Sequence, residues 1–391
     1  TPALESAKGE LAEMDTLLQK DIPGATFESW DWWYYAEKLR KQNYALDEEM
    51  LRPYFSLENV QGGIFYLANR LYGITFQPIV VPLYHPDAVA YEVLDADGSH
   101  LGVLYFDYFP RDGKSQGAWC GNYVEQTYKD GKRVAPVVSV VCNFTRPVRN
   151  TPALLTLDET ETLFHEFGHA LHFLFHDVKY RGLSEVEGDF VELPSQVMEN
   201  WAFEPEMLKH YAVHYRTGEV IPKYLVDKLR KSELFNQGFA TTELIAASLS
   251  DMDIHSVTEY EPFDPMAFER QALNEKRGLI PQIEPRYRYP YFSHIFAAIR
   301  QVTISIPGPR CSTRIRSRPS ARAATCSTRR SPQISAPSCF RAAVRRTACR
   351  STGHSAVPIP TSGRCCAAAA CGPPNRRPWI HWRLRSSIRY R

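Results

Sequence analysis

The chain has 391 residues, 44% hydrophobic and 23% charged, which is typical of a globular protein and excludes disordered and fibrous classes. At roughly 150 residues per domain, this length allows two or three domains. The net charge of +2 hides a division: residues 297–391 hold 19 of the 46 basic residues, all Arg, and no acidic residue, so residues 1–296 hold 27 basic and all 44 acidic residues, a net charge of −17.

The cysteines follow the same division, because residues 1–296 contain only Cys120 and Cys142 of the nine. This body therefore predicts no disulfide framework. No apolar run reaches the roughly 18 residues of a membrane helix, and no signal peptide opens the chain. We therefore expect no membrane partner and a cytoplasmic protein, with the periplasm as the alternative. The opening Thr1-Pro2, inside a helix-like pattern, predicts that an upstream region is missing.

Apolar residues at helical spacing predict amphipathic helices over residues 3–20 and 30–51. The second helix begins with five aromatic residues that could form a binding platform. Because aromatic side chains mostly serve cores, we predict that they are buried. The five are Trp30, Trp32, Trp33, Tyr34 and Tyr35.

From residue 74 to 145 the pattern changes to β-branched and aromatic runs separated by Asp-Gly pairs, which favour tight turns. It predicts strands over 88–95, 101–108 and 134–142 in a small antiparallel sheet. Helical spacing returns from 156 to about 278, with Asp158 as the expected N-cap. The predicted fold is therefore mainly α-helical with a small antiparallel β-sheet.

The sequence His165-Glu166-Phe167-Gly168-His169 is an HExxH motif within a long helical pattern. Residues four apart lie on one face of a helix, so both imidazoles can bind one zinc ion. Glu166 lies beside them, where it can accept a proton from water, as the general base of a metallopeptidase does. The less specific interpretation is a buried pair of hydrogen-bonded histidines near solvated carboxylates.

A third ligand must come from another segment, leaving one coordination position for water. Glu192, 23 residues after His169, is the preferred candidate. Spacing alone leaves four rivals open, namely Glu185, Glu187, Asp189 and Glu199. His172 and His176 continue the motif helix but are not at ligand positions, and we expect them to pack or to be exposed.

Two longer segments contain these residues, HEFGHALH at 165–172 and GDFVELPSQVMENW at 188–201. Together they resemble the thimet oligopeptidase family of zinc metallopeptidases, and the resemblance extends over essentially all of residues 1–296. Further segments carry it: Gly117-Ala118-Trp119, Asn143-Phe144-Thr145, residues 154–161, Arg286-Tyr287-Arg288 and residues 292–296. Within the family, residues 234–236 and the run from 286 to 296 most resemble the bacterial dipeptidyl carboxypeptidases, with oligopeptidase A as the neighbouring possibility.

The resemblance implies a zincin-like, helix-rich catalytic domain that hydrolyses short peptides and binds one Zn²⁺. It implies His165, His169 and Glu192 as zinc ligands and Glu166 as the general base. A histidine near the substrate corresponds to His294. Two further carboxylates, Glu161 and Glu199, are candidates for orienting the ligands. Family members enclose the site in a deep channel, so peptides enter and folded proteins do not, and we expect a monomer.

The tail, residues 297–391, has two interpretations. Its arginines could bind nucleic acid, although the acidic body argues against this partner. Alternatively, the tail is the product of a shifted reading frame. If the last base of each codon is joined to the first two bases of the next codon, residues 298–315 can be read as GYxAGYYxYxWAEVLDAD, which resembles the family. We therefore predict a catalytic region over 1–296 and a disordered, out-of-frame tail, whose missing tyrosine-rich loop impairs the enzyme. A zinc-binding fragment without catalysis is a further alternative.

Overall fold

The computed structural model describes residues 1–184, 186, 188, 190–259 and 261–292. The tail therefore lies outside the described residues, as do His294 and the ligand rivals Glu185, Glu187 and Asp189. The helices of the described residues are α1 (Pro2–Asp21), α2 (Trp32–Tyr44), α3 (Leu57–Tyr72), α4 (Leu157–Leu174), α5 (Leu193–Ala202), α6 (Pro205–Tyr211), α7 (Lys223–Ser232), α8 (Gln237–His255) and α9 (Pro265–Arg270). The strands are β1 (Thr75–Pro78), β2 (Val89–Leu94), β3 (His100–Asp107), β4 (Trp119–Val124), β5 (Thr127–Lys129), β6 (Lys132–Val134) and β7 (Val137–Val141).

The main sheet has the strand order β1-β2-β3-β7-β4, and the hairpin β5-β6 stands apart from it. The prediction of an antiparallel sheet is wrong at one pairing: β3 and β7 are parallel, with Val103 opposite Val137. The other pairings are antiparallel. The physical reason is that β4 and the β5-β6 hairpin lie between β3 and β7 in the chain, so a long connection returns the chain in the direction of β3.

Two of the Asp-Gly pairs form the tight turns that the sequence predicts. Asp130 and Gly131 join β5 to β6, and both have positive φ, as a two-residue hairpin turn requires. Gly98 likewise follows Asp97 in the turn between β2 and β3, with a φ of 82°. The predicted strands over 88–95, 101–108 and 134–142 correspond to β2, β3 and β7.

Helix α4 packs against the sheet and places the HExxH motif at the edge of the main core. Its buried face includes Leu163, Phe167 and Leu171, which share a core cluster with Leu104 and Val138 of the sheet. This cluster also includes side chains of α3 and α6. Burial of such side chains stabilises by about 1.5–3 kcal/mol each, so the motif helix is held mainly by its apolar face.

The predicted N-cap of α4 is wrong by two residues. Thr156, not Asp158, caps the helix: its hydroxyl accepts from Glu159 N at 3.0 Å, and the Glu159 carboxylate accepts from Thr156 N at 2.9 Å. This reciprocal pair satisfies two free backbone donors, which a lone Asp158 could not do. Asp158 instead lies in the first turn, where its negative charge interacts favourably with the helix dipole.

The aromatic residues at the start of α2 are only partly buried, so that prediction is wrong for three of the five. Trp32 and Tyr35 are buried, the first stacked on Phe239 of α8 with ring centroids 4.5 Å apart. The other three are exposed, namely Trp30 at 77%, Trp33 at 62% and Tyr34 at 64%. Trp30 precedes α2, which starts at Trp32, and within the helix the phase puts Trp33 and Tyr34 on a different face from Trp32 and Tyr35. The helix also ends earlier than predicted, with Ala45 in the left-handed region.

Candidate metal centre

The two motif histidines lie on one face of α4, one turn apart. The ring centroids of His165 and His169 are 5.0 Å apart, and both side chains are largely buried. The buried apolar face of α4 fixes the rotation of the helix about its axis, and both imidazoles face Glu192. The spacing of four residues in the sequence therefore produces a pair of nitrogen donors on one side of the helix.

The third candidate donor is Glu192, at the start of the next helix. It is the residue immediately before α5, and its Oε2 atom lies 3.2 Å from Nε2 of both His165 and His169. Among the residues that the structure describes, these three form the single group of His, Cys, Asp and Glu side chains able to hold a metal ion, with ligand atoms within 4.8 Å of one another. The structure thus brings together the three side chains that the sequence favoured as candidate ligands.

Glu199, one of the rivals for the ligand position, contacts the other nitrogen of His165. Its Oε1 atom lies 2.6 Å from Nδ1 of His165. An ionised carboxylate can only accept, so Nδ1 carries a proton and donates a hydrogen bond to Glu199, and Nε2, which faces Glu192, is the nitrogen that could bind a metal ion in place of a proton. This is the arrangement by which an outer carboxylate orients a metal-binding histidine.

The charges at the centre favour a cation between the three ligand atoms. Burial lowers the pKa of His165, but hydrogen bonds to Glu192 and Glu199 and the charge of Glu166 outweigh it and raise the pKa to about 10. Burial would raise the pKa of Glu192, but its hydrogen bonds with the two histidines hold it well below the usual range. A proton or a metal ion can supply the positive charge that these atoms attract.

Glu166 lies beside the ligands with one oxygen unused. The side chain is 6% exposed, and no hydrogen-bond partner for its Oε2 atom lies among the described residues. Burial raises the pKa of Glu166, and the two histidine charges partly offset this rise. A buried carboxylate with a raised pKa and a free oxygen is suited to accept and return a proton.

Glu161 is exposed on α4, one turn before His165, and its suggested role in orienting ligands stays a prediction. The role of His294 also stays a prediction, because that residue lies outside the described range. Sequence reasoning missed Ser195, whose hydroxyl lies 2.9 Å from Oε2 of Glu192. The available signal was a serine three residues after a carboxylate at a helix start, a spacing that brings the two side chains together.

His172 and His176 pack against each other instead of joining the centre. Each is 3% exposed, and their ring centroids are 4.9 Å apart. Burial lowers the pKa of His172 to about 3, helped by the charges of His176 and His169, and burial lowers that of His176 to about 4. Both histidines therefore stay neutral in the folded protein at pH values where an exposed histidine is protonated.

This pair predicts a loss of stability in mild acid. Above about pH 6.5 neither state binds these protons, but below it the unfolded chain binds them and the folded chain does not. The free energy of unfolding should therefore fall as pH drops from about 6.5 towards 4, by up to roughly 1.4 kcal/mol per pH unit for each histidine. Urea unfolding at about pH 7 and about pH 5 measures this. A His176→Leu variant should lose less stability over that interval, and an identical loss would contradict the prediction.

Comparison with known proteins gives matches that include the residues of this centre. The model of peptidase family M3 matches residues 2–301. Dipeptidyl carboxypeptidase of Salmonella typhimurium is 45% identical over 300 residues, which cover 75% of this chain and 44% of that protein. The Escherichia coli protein of the same name is 44% identical over 299 residues, which cover 75% of this chain and 44% of that protein. Oligopeptidase A of Escherichia coli is 38% identical over 296 residues, covering 74% and 43%. The chain thus spans less than half the length of these relatives.

Proposed function

The chain belongs to peptidase family M3, and we propose that it hydrolyses peptide bonds in short peptides with one zinc ion per chain. One observation carries this proposal: Nε2 of each motif histidine lies 3.2 Å from Oε2 of Glu192, and the adjacent Glu166 has a buried oxygen with no hydrogen-bond partner among the described residues. The substrate class is supported by the names of the relatives, a dipeptidyl carboxypeptidase and an oligopeptidase.

The three donors fit zinc by their chemistry. Two neutral imidazoles and one carboxylate form a ligand set that catalytic zinc sites use, and three protein ligands leave a coordination position open. His165, His169 and Glu192 would hold the ion, with Glu199 fixing the tautomer of His165. When bound, zinc polarises the scissile carbonyl and makes an attacking water more acidic.

The protein's own groups then move the proton. Glu166 accepts it from the attacking water, holds it on its buried carboxyl, and delivers it to the nitrogen of the leaving amine as the peptide bond breaks. This sequence needs no covalent intermediate with the enzyme. His294, which corresponds to the family histidine near the substrate, would help to stabilise the transition state.

The alternatives are weaker. The relatives reported above are peptidases, which favours hydrolysis over a nucleic-acid-binding function for the arginine-rich tail. In the described residues, no helix combines the length and the apolar character needed to cross a membrane. The cytoplasmic compartment, with the periplasm as the alternative, and the monomeric state stay predictions.

Zinc binding provides the direct test. The chain 1–391 should bind one zinc ion, and His165→Ala should weaken the affinity about a hundredfold or more, because one of three protein ligands is lost. Competition with a chromogenic chelator measures the affinity, and His100→Ala, an exposed histidine on β3, is the matched control. Failure to bind zinc, or equal affinity of the His165 and His100 variants, would contradict the proposed site.

Peptide cleavage tests the reaction. The substrates are a short peptide with a free C-terminus and the same peptide with an amidated C-terminus. Mass spectrometry of the products distinguishes release of C-terminal dipeptides from internal cleavage. If zinc binds as expected and neither peptide is cleaved by a chain with a restored reading frame, the interpretation as a zinc-binding fragment without catalysis replaces the peptidase.

A further inference from the structure

Helices α4 and α5 approach each other unusually closely at Gly168. A Cβ atom on this residue would lie 2.6 Å from the carbonyl oxygen of Pro194 and 2.6 Å from Cα of Ser195, distances that real Cβ atoms essentially never show. The contacts are with backbone atoms, so no side-chain rearrangement could relieve them. Only glycine at this position lets the start of α5 pack directly on the motif helix.

The same contact places Ser195 beneath the carboxylate ligand. Ser195 is fully buried, and its hydroxyl lies 2.9 Å from both the backbone oxygen and the Oε2 atom of Glu192. Both neighbours are acceptors, and the charged Oε2 is the stronger of the two, so the hydroxyl donates its one proton to Oε2. Its side-chain acceptor, Oε2, is the atom that lies 3.2 Å from the two histidine nitrogens.

We propose that Gly168 and Ser195 are positioning residues for the zinc ligand Glu192: Gly168 admits α5 to backbone contact with α4, and the Ser195 hydroxyl holds Oε2 of Glu192 facing the two imidazoles. The inference rests on the proposed function, since it concerns how tightly this site holds zinc. Glutamate has three rotatable side-chain bonds, and a ligand that is already fixed loses less conformational entropy when the metal binds. Groups that orient a ligand in this way typically change metal affinity 10–100-fold.

Ser195→Ala is the main test, made in the chain 1–391. We expect its zinc affinity, measured by chelator competition, to fall about 10–100-fold. The visible absorption of the Co²⁺-substituted variant should also change, because that spectrum reports ligand geometry, which a purely structural serine would not alter. The matched control is Ser250→Ala on α8, which removes a fully buried hydroxyl with no hydrogen-bond partner among the described residues. Its zinc affinity and Co²⁺ spectrum should equal those of the unaltered chain.

Gly168→Ala tests the close approach. We expect a loss of zinc affinity at least as large as that of Ser195→Ala, since the added methyl group separates the helices that carry the ligands. Gly62→Ala is its control, because a Cβ on that glycine of α3 meets nothing within 4 Å. If Gly168→Ala does not fold, Ser195→Ala alone decides.

The outcomes separate the two levels of the proposal. If the unaltered chain binds zinc and Ser195→Ala binds it equally well with the same Co²⁺ spectrum, the positioning role is overturned while the proposed function stands. If the unaltered chain binds no zinc, the proposed function itself fails.

Discussion

A version of the chain whose reading frame is shifted by one base near codon 297 is expected to hydrolyse short peptides about a hundredfold faster, or more, than the chain 1–391. The family resemblance implies a tyrosine-rich loop after His294, whose hydroxyls hydrogen-bond the substrate and the developing oxyanion. Losing one such donor typically costs about 3–4 kcal/mol of barrier, a factor of at least a hundred in rate. The match to the family model ends at residue 301, and the change of frame near residue 297 stays a prediction.

The measurement compares kcat for one short peptide at equal zinc occupancy. The proposed zinc ligands lie before the tail, at 165, 169 and 192, so both proteins should bind the ion, and a rate difference then reports the missing donors. Sequencing the gene around codon 297 provides an independent check. Equal rates for the two proteins at equal zinc content would show that the tail, as it stands, does not impair catalysis.

The metal centre was predictable to the extent that it depends on local spacing. The two histidines of HExxH needed only the 3.6-residue period of a helix to come together. Glu192 depended on the path of the chain between α4 and α5, and spacing alone left Glu199 and three other carboxylates open. In the structure Glu192 reaches the histidines through a long-range packing contact, the backbone approach at Gly168, and no pattern of neighbouring residues specifies such a contact. Three of the rivals lie outside the described residues, so the choice of Glu192 stays a prediction.

The fold shows the same limit. Runs of β-branched and aromatic residues between Asp-Gly turns predicted strands β2, β3 and β7. Strand direction depends on how the intervening chain crosses the sheet, so the parallel pairing of β3 with β7 was missed. At α2 the aromatic residues are chemically alike, and a shift of one position along the helix separates buried Trp32 from exposed Trp33. Composition predicted packing there, but only the phase of the helix determines which rings pack.

Glu166→Gln should separate zinc binding from catalysis. Glutamine has nearly the same shape but cannot accept the proton from water, so we expect kcat to fall by about 10²–10⁴ in the frame-restored chain. Zinc affinity should change little, because the proposed ligand atoms belong to His165, His169 and Glu192. The two quantities are measured on the same preparations, by peptide turnover and by chelator competition.

His165→Ala is the variant to compare with Glu166→Gln. Both variants should lose activity, but only His165→Ala should lose zinc, because its Nε2 atom faces Glu192 whereas the buried Oε2 of Glu166 has no partner among the described residues. If Glu166→Gln retained most of its turnover, another group would have to accept the proton, and the unpaired oxygen of Glu166 would need a different explanation. If instead it lost zinc as His165→Ala does, Glu166 would be part of the metal-binding structure, and the assignment of the general base would be wrong.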